Sequence, residues 1–157
     1  MNAATNLKHK EKNVHHHKSI IKKIQSKFIR SKLIANVYAH CDLPCGVYDP
    51  AQAKIEAQSV KACMEKYATS SDSDFKARAV AIKEERSELV KHHLWVLWTD
   101  YFKAPHFEKY PQLHGLFNEA TKLAGAGGSK GTNDVAVADK LIAKIDEIAE
   151  IFWATKK

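Results

Sequence analysis

Residues 39–50 read AHCDLPCGVYDP, and they place a histidine, two cysteines and an aspartate within positions 40–45. Cys41 and Cys45, with Pro44 before the second, suit a tight hook rather than a helix. Both sulfurs can then turn to one point, where thiolates bind a soft or borderline metal. The neutral imidazole of His40 adds a third donor. A structural zinc site normally closes with four side-chain ligands, and this segment supplies three. Backbone nitrogen can complete the set. If the working chain began at His40, its free amine would stand beside the first peptide nitrogen and the Cys41 thiol in fused chelate rings. Two nitrogens and two sulfurs in a plane form the geometry preferred by Ni(II) or Cu(II). On spacing alone, a metal site, a redox disulfide and a plain structural turn all stay open.

Two charged residues further along stand where apolar ones are expected. Glu56 falls in phase with Ala53, Val60, Cys63 and Tyr67, and Arg86 in phase with Phe75, Ala79, Ile82, Leu89, His93 and Val96. An inward charge without a partner is costly, so such residues pair or serve a site. Glu56 lies close behind the hook. A Glu56–Arg86 pair bracing the amino-terminal segment is the reading we favour over two charges at the seam's edge reaching water.

The elements that must carry these groups read as helices. Asp49-Pro50 is a helix start, an acceptor followed by proline at the first helical position. A second helix opens near Ser73-Asp74 and ends by about residue 103, ahead of Ala104-Pro105. A third starts at Tyr110-Pro111, with Leu113, Leu116, Phe117, Ala120 and Leu123 inward. GAGGSKG, residues 125–131, is a loop. Asn133 or Asp134 begins a fourth helix, with Ala138, Leu141, Ile145, Ile148 and Phe152 in phase. Spacings of 3 and 4 on four helices predict an all-α, antiparallel four-helix bundle. Cys63 reads as a small core residue, and His93, Leu94 and Leu97 as ordinary packing. His106 and His114 lie near helix ends without an assembled partner set. Tyr101, Phe102 and Lys103 read as subunit contacts or the rim of the site.

Composition divides the chain. Residues 1–39 hold nine Lys/Arg and one Glu, whereas the rest of the chain holds 16 basic and 17 acidic residues. The overall +7 therefore belongs to an arm ahead of a nearly neutral domain, which argues against nucleic acid as the domain's ligand. Residues 1–39 read as a cleavable basic leader or propeptide and 40–157 as the bundle domain, with the hook at 40–48. The stripe of Ile20, Ile21, Ile24, Phe28, Leu33 and Ile34 allows an amphipathic surface helix. Lysines interrupt it too often for a secretory signal, although Val37-Tyr38-Ala39 resembles a small-residue cleavage site. No run approaches the roughly 18 apolar residues of a membrane span, so no stable membrane insertion is expected. The triplet His15-His16-His17 reads as solvated. The expected compartment is cytoplasmic, with export or organelle targeting through the basic leader as the alternative.

HCDLPCGVYDP resembles the amino-terminal nickel hook of the nickel superoxide dismutase family. AQAKIEAQSVKACMEKYA, RAVAIKEERSELVKHHLWVLWTDYFKAPHFEKYPQLH and IDEIAEIFWATKK are similar to that family in order and spacing, so the likeness covers nearly all of residues 40–157. The resemblance implies superoxide disproportionation with one nickel ion per subunit. It implies His40 as ligand through its terminal amine and axial imidazole, Cys41 through backbone nitrogen and thiolate, and Cys45 through thiolate. Glu56 and Arg86 match the family's pair that steadies the imidazole. Tyr48 matches the tyrosine beside the open face of the metal. A homohexamer and a leader-processing protease are also implied. The alternative is a non-catalytic carrier of nickel or copper. A nucleic-acid or membrane-binding bundle leaves the hook unexplained.

Overall fold

The computed structural model describes residues 46–156. The leader with its apolar stripe and histidine triplet, and the hook residues His40, Cys41 and Cys45, lie outside them. Among the described residues there are five α-helices and no strand: α1 (Ala51–Thr69), α2 (Ser73–Val96), α3 (Ala104–Lys109), α4 (Leu113–Leu123) and α5 (Val135–Thr155). The four long ones form the expected bundle. α1 packs along α2 and α5, and α4 closes the other side against α5 and α2.

The helix starts follow local chemistry. Asp49 Oδ1 accepts the Ala51 N–H at 2.8 Å, filling one of the orphan donors at the first turn of α1. Asp72 does the same for Asp74 and Phe75 at the head of α2, and Asp134 for Ala136 at the head of α5. Three residues, Ser70 to Asp72, reverse the chain between α1 and α2, which makes them antiparallel neighbours.

The expected end of the second helix is corrected. α2 gives way at Leu97 to a single π turn (Leu97–Tyr101), closed by Phe102 N–H to Leu97 O at 3.0 Å. After Phe102 in extended conformation a short helix begins at Ala104, so Ala104-Pro105 opens a helix as well as ending one. Proline is tolerated there because a first-turn N–H has no intrahelical partner. Helix α4 then starts at Leu113, after the turn at Tyr110–Gln112.

Helix phase also departs from expectation. On α1 the buried stripe is Ala53, Ala57, Val60 and Met64. Glu56, Cys63 and Tyr67 are half-buried on the edge toward α2, where Tyr67 meets the Lys76 ammonium and Glu56 meets Arg86. On α2 the buried line is Ala79, Lys83, Ser87, Val90 and Leu94, rotated from the expected seam. Polar residues can occupy it because the loop after α4 docks there. Lys83 Nζ donates to Lys130 O (3.2 Å), Thr132 O (2.6 Å) and Asn133 Oδ1 (3.0 Å), and Ser87 shares a hydrogen bond with Ser129 (2.8 Å). Burial lowers the pKa of Lys83. Within that loop a Cβ on Gly128 would lie 2.0 Å from Leu123 O, so a side chain there would force the backbone apart. On α4 and α5 the inward residues are those expected, except that Leu123 is half-buried, and Ile151 joins them.

The larger core cluster joins all four long helices. Ala53, Ala57, Leu94, Leu97, Phe102, Phe117, Ile148 and Phe152 belong to it, and Tyr48, Trp98, Tyr101, Phe107 and Tyr110 pack on its edge. A smaller cluster of Val60, Met64 and Ala138 lies further along α1.

Candidate metal centre

Gly46, next after the hook's second cysteine, has φ +72°. Only glycine adopts that left-handed conformation without a steric penalty, so it can turn the chain sharply out of the hook. Val47, Tyr48 and Asp49 then run without regular structure into α1. Tyr48 is half-buried, with its ring 5.6 Å from that of Tyr101 at an interplanar angle of 55°. The π turn is what brings Tyr101 here. It adds one residue to the last turn of α2 and so turns Tyr101 toward Phe152 and Tyr48, at 4.4 and 5.6 Å between ring centroids. The Tyr101 hydroxyl is fixed by Thr155 Oγ1 at 2.6 Å.

About a turn and a half into α1, Glu56 Oε2 accepts a hydrogen bond from Arg86 Nη1 at 3.3 Å. The glutamate side chain keeps 16% of its exposure and the arginine 34%. The pair expected from helix phase is present, but it lies on the α1–α2 edge. Arg86 also reaches Glu85 at 3.3 Å. Tyr48 packs on the larger core cluster, and Glu56 and Arg86 join α1 to α2. Among the described residues no three His, Cys, Asp or Glu side chains gather where a metal could be held. The side-chain donors nominated by the sequence are upstream of Gly46: an imidazole and two thiols. A set rich in sulfur and nitrogen suits nickel better than a hard, oxygen-seeking cation.

Cys63 is half-buried and free, and burial raises its thiol pKa, so it is a poor thiolate donor. His92 and His93 contact each other edge to face at 5.4 Å.

An aromatic assembly went unrecognised in the sequence. Trp98 stacks on Phe117 (5.6 Å, 2°) and donates its indole N–H to His114 Nδ1 at 3.0 Å, while Phe107 lies flat against His114 at 4.0 Å. His106 lies beside Tyr101 and Phe102. Both histidines therefore have partners. The density of rings in WVLWTDYFKAPHFEKY was the available signal, but their convergence depends on the π turn.

A family model for nickel-containing superoxide dismutase matches residues 35–156. The chain belongs to that family. Two curated relatives, both superoxide dismutase [Ni], come from Streptomyces coelicolor and Streptomyces seoulensis. Each is 60% identical over 121 residues, spanning 77% of this chain and 91% of its own length. Among solved structures, native nickel superoxide dismutase superposes with a TM-score of 0.72 at 59% identity, covering 75% of this chain and 100% of its own. A second, Ni-containing superoxide dismutase with nickel ligation corresponding to the oxidised state, gives 0.71 at 60% identity over 74% of this chain and 98% of its own. The carrier alternative is not favoured by a nickel superoxide dismutase family that is matched through both hook and bundle.

Proposed function

We propose that this nickel superoxide dismutase family member converts superoxide to dioxygen and hydrogen peroxide at a hook that begins, after removal of the leader, at His40. Two superoxide ions and two protons give one molecule of each product. The observation that carries the reading is the family match across residues 35–156, which includes the hook and the helices behind it.

The amine and imidazole of His40, the backbone nitrogen and thiolate of Cys41 and the thiolate of Cys45 are the proposed ligands. Bound nickel would supply the one-electron Ni(II)/Ni(III) couple that disproportionation needs. The chain's part is to hold and protect. The thiolates of Cys41 and Cys45 and the Cys41 amide nitrogen, as strong donors, would bring that couple into range. Glu56, braced by Arg86, steadies the His40 imidazole, a role analogous to the partners that orient metal-bound histidines generally. Tyr48 offers its hydroxyl to a small oxygen species, and its ring is buttressed by Tyr101. Metal ligation and a shielded pocket keep Cys41 and Cys45 off the sulfur oxidation ladder.

Processing after Ala39 is supported by coverage. The native solved chain is covered over 100% of its length by 75% of this one, and residues 1–39 amount to about a quarter of the 157. A homohexamer is proposed as the assembly; exposed Val47, Ile55 on α1 and Trp153 on α5 are apolar surface that it would cover. The compartment is proposed as cytoplasmic, with export or organelle targeting through the leader as the alternative. No helix among the described residues is long and apolar enough to cross a membrane.

The test is a cysteine series. In a nickel-loaded chain starting at His40, Cys41→Ser and Cys45→Ser should each abolish turnover and the thiolate-to-nickel absorption, while Cys63→Ser leaves both intact. Equal losses in all three would make the sulfurs structural and overturn the ligand assignment.

A further inference from the structure

His106 occupies the third position of α3, and its ring turns back on the segment that precedes the helix. Its Nδ1 accepts the Lys103 N–H at 3.1 Å. The same ring lies nearly parallel to Tyr101 (5.7 Å, 13°) and edge-on to Phe102 (5.8 Å, 90°). A side chain reaching back from the third position to the N–H that opens a helix is ordinarily Glu or Gln. Here a histidine makes that bond and adds a flat surface for Tyr101. With Nδ1 as acceptor, the neutral ring carries its proton on Nε2.

The contacts continue to the proposed site. Tyr101 touches Tyr48 at 5.6 Å, and its hydroxyl is held by Thr155. Only Phe102 and Lys103 separate the π turn from the start of α3, so the bond at Lys103 fixes where Tyr101 stands. We infer that His106 is a positioning residue for superoxide dismutation. Through the Lys103 amide and the Tyr101 ring, it sets the placement of Tyr48. The inference rests on the role given to Tyr48 above. His106 itself touches neither substrate nor metal.

The experiment is a mutant cycle in the nickel-loaded chain starting at His40. His106→Phe keeps a flat ring and removes the acceptor; His106→Gln restores an acceptor without the ring. Each is made alone and with Tyr48→Phe, and turnover is followed by pulse radiolysis. Hydrogen exchange over residues 101–107 reports the turn independently of activity. Losing one hydrogen bond that fixes a conformation should lower turnover about three- to tenfold in His106→Phe, with faster exchange at Lys103. His106→Gln should return both toward wild type, a rescue that loss of packing alone would not give. In the Tyr48→Phe background His106→Phe should cost nothing further, because the coupling runs through Tyr48. Unchanged exchange and turnover in His106→Phe would overturn the inference, as would an undiminished effect in the Tyr48→Phe background. If His106→Phe does not fold, His106→Leu removes the same acceptor and is judged by the same outcomes. Wild-type turnover in Tyr48→Phe alone would remove the Tyr48 role and this inference together. Impaired Tyr48→Phe with a silent or additive His106→Phe would remove the inference alone.

Discussion

Glu56→Ala removes one partner of the α1–α2 ion pair and leaves every proposed metal donor in place. A charge abandoned in a dry interior costs about 3–5 kcal/mol. Arg86 is not in that position. Its side chain keeps 34% of its exposure, and its second guanidinium nitrogen already meets Glu85 at 3.3 Å. An exposed pair contributes about 0.2–1 kcal/mol. With the 16% exposed carboxylate at one end and solvated Arg86 at the other, the loss should fall near 1 kcal/mol. For a domain of this size that lowers the unfolding midpoint by about 4 °C. Turnover should fall much further, about 10- to 100-fold, the range seen when a partner that orients a metal-bound histidine is removed. Nickel content should not change. The assays are metal analysis, thermal unfolding, pulse radiolysis of superoxide decay and the axial-nitrogen splitting in the Ni(III) resonance. The double change Glu56→Gln with Arg86→Met should recover stability without restoring turnover. Normal turnover with unchanged axial splitting in Glu56→Ala would refute the bracing role and leave an ordinary salt bridge between helices.

Lys83→Met should cost about 2 kcal/mol, because it strips the donor from Lys130 O, Thr132 O and Asn133 Oδ1, partly offset by relief of a buried charge. Urea unfolding would show it, and a variant as stable as wild type would mean that Lys83 does not tether the loop. The hydrogen bond from Lys130 holds the Glu88 carboxyl below its ordinary pKa, against a smaller opposing effect of burial. That stabilisation is complete above the ordinary carboxylate range and is lost as pH falls through the lower folded value. Glu88→Gln should therefore flatten the fall in stability between about pH 6 and pH 3. An acid limb of unchanged slope would contradict it.

Local signals made much of this legible. Asp134 announces a helix start because capping depends on residues next to one another in the chain, the start near Ser73-Asp74 is capped one residue earlier by Asp72, and α5 showed all of its apolar stripe but Ile151. The Glu56–Arg86 pair followed from helix phase, although its place at the bundle edge did not, since phase read without neighbours is uncertain by one position. The π turn was hidden because Ala104-Pro105 reads equally as the stop of one helix and the first turn of another. Lys83 was hidden for a different reason. A lysine reads as solvated until carbonyls about 50 residues away dock on it, and nothing near it in sequence announces them. His106 and His114 likewise acquire their partners only when the π turn gathers the rings. The hook was legible as chemistry because its donors are adjacent in the chain, and legible as nickel chemistry through family resemblance.

A free amine at His40 is the central requirement of the proposed site. Superoxide decay should be measured by pulse radiolysis at matched nickel content for two chains: one beginning at His40, and the full 157-residue chain altered so that it cannot be cut after Ala39. Rapid dismutation is expected of the first and none above the uncatalysed rate of the second, whose His40 nitrogen is an amide. Equal rates in the two chains would contradict that requirement.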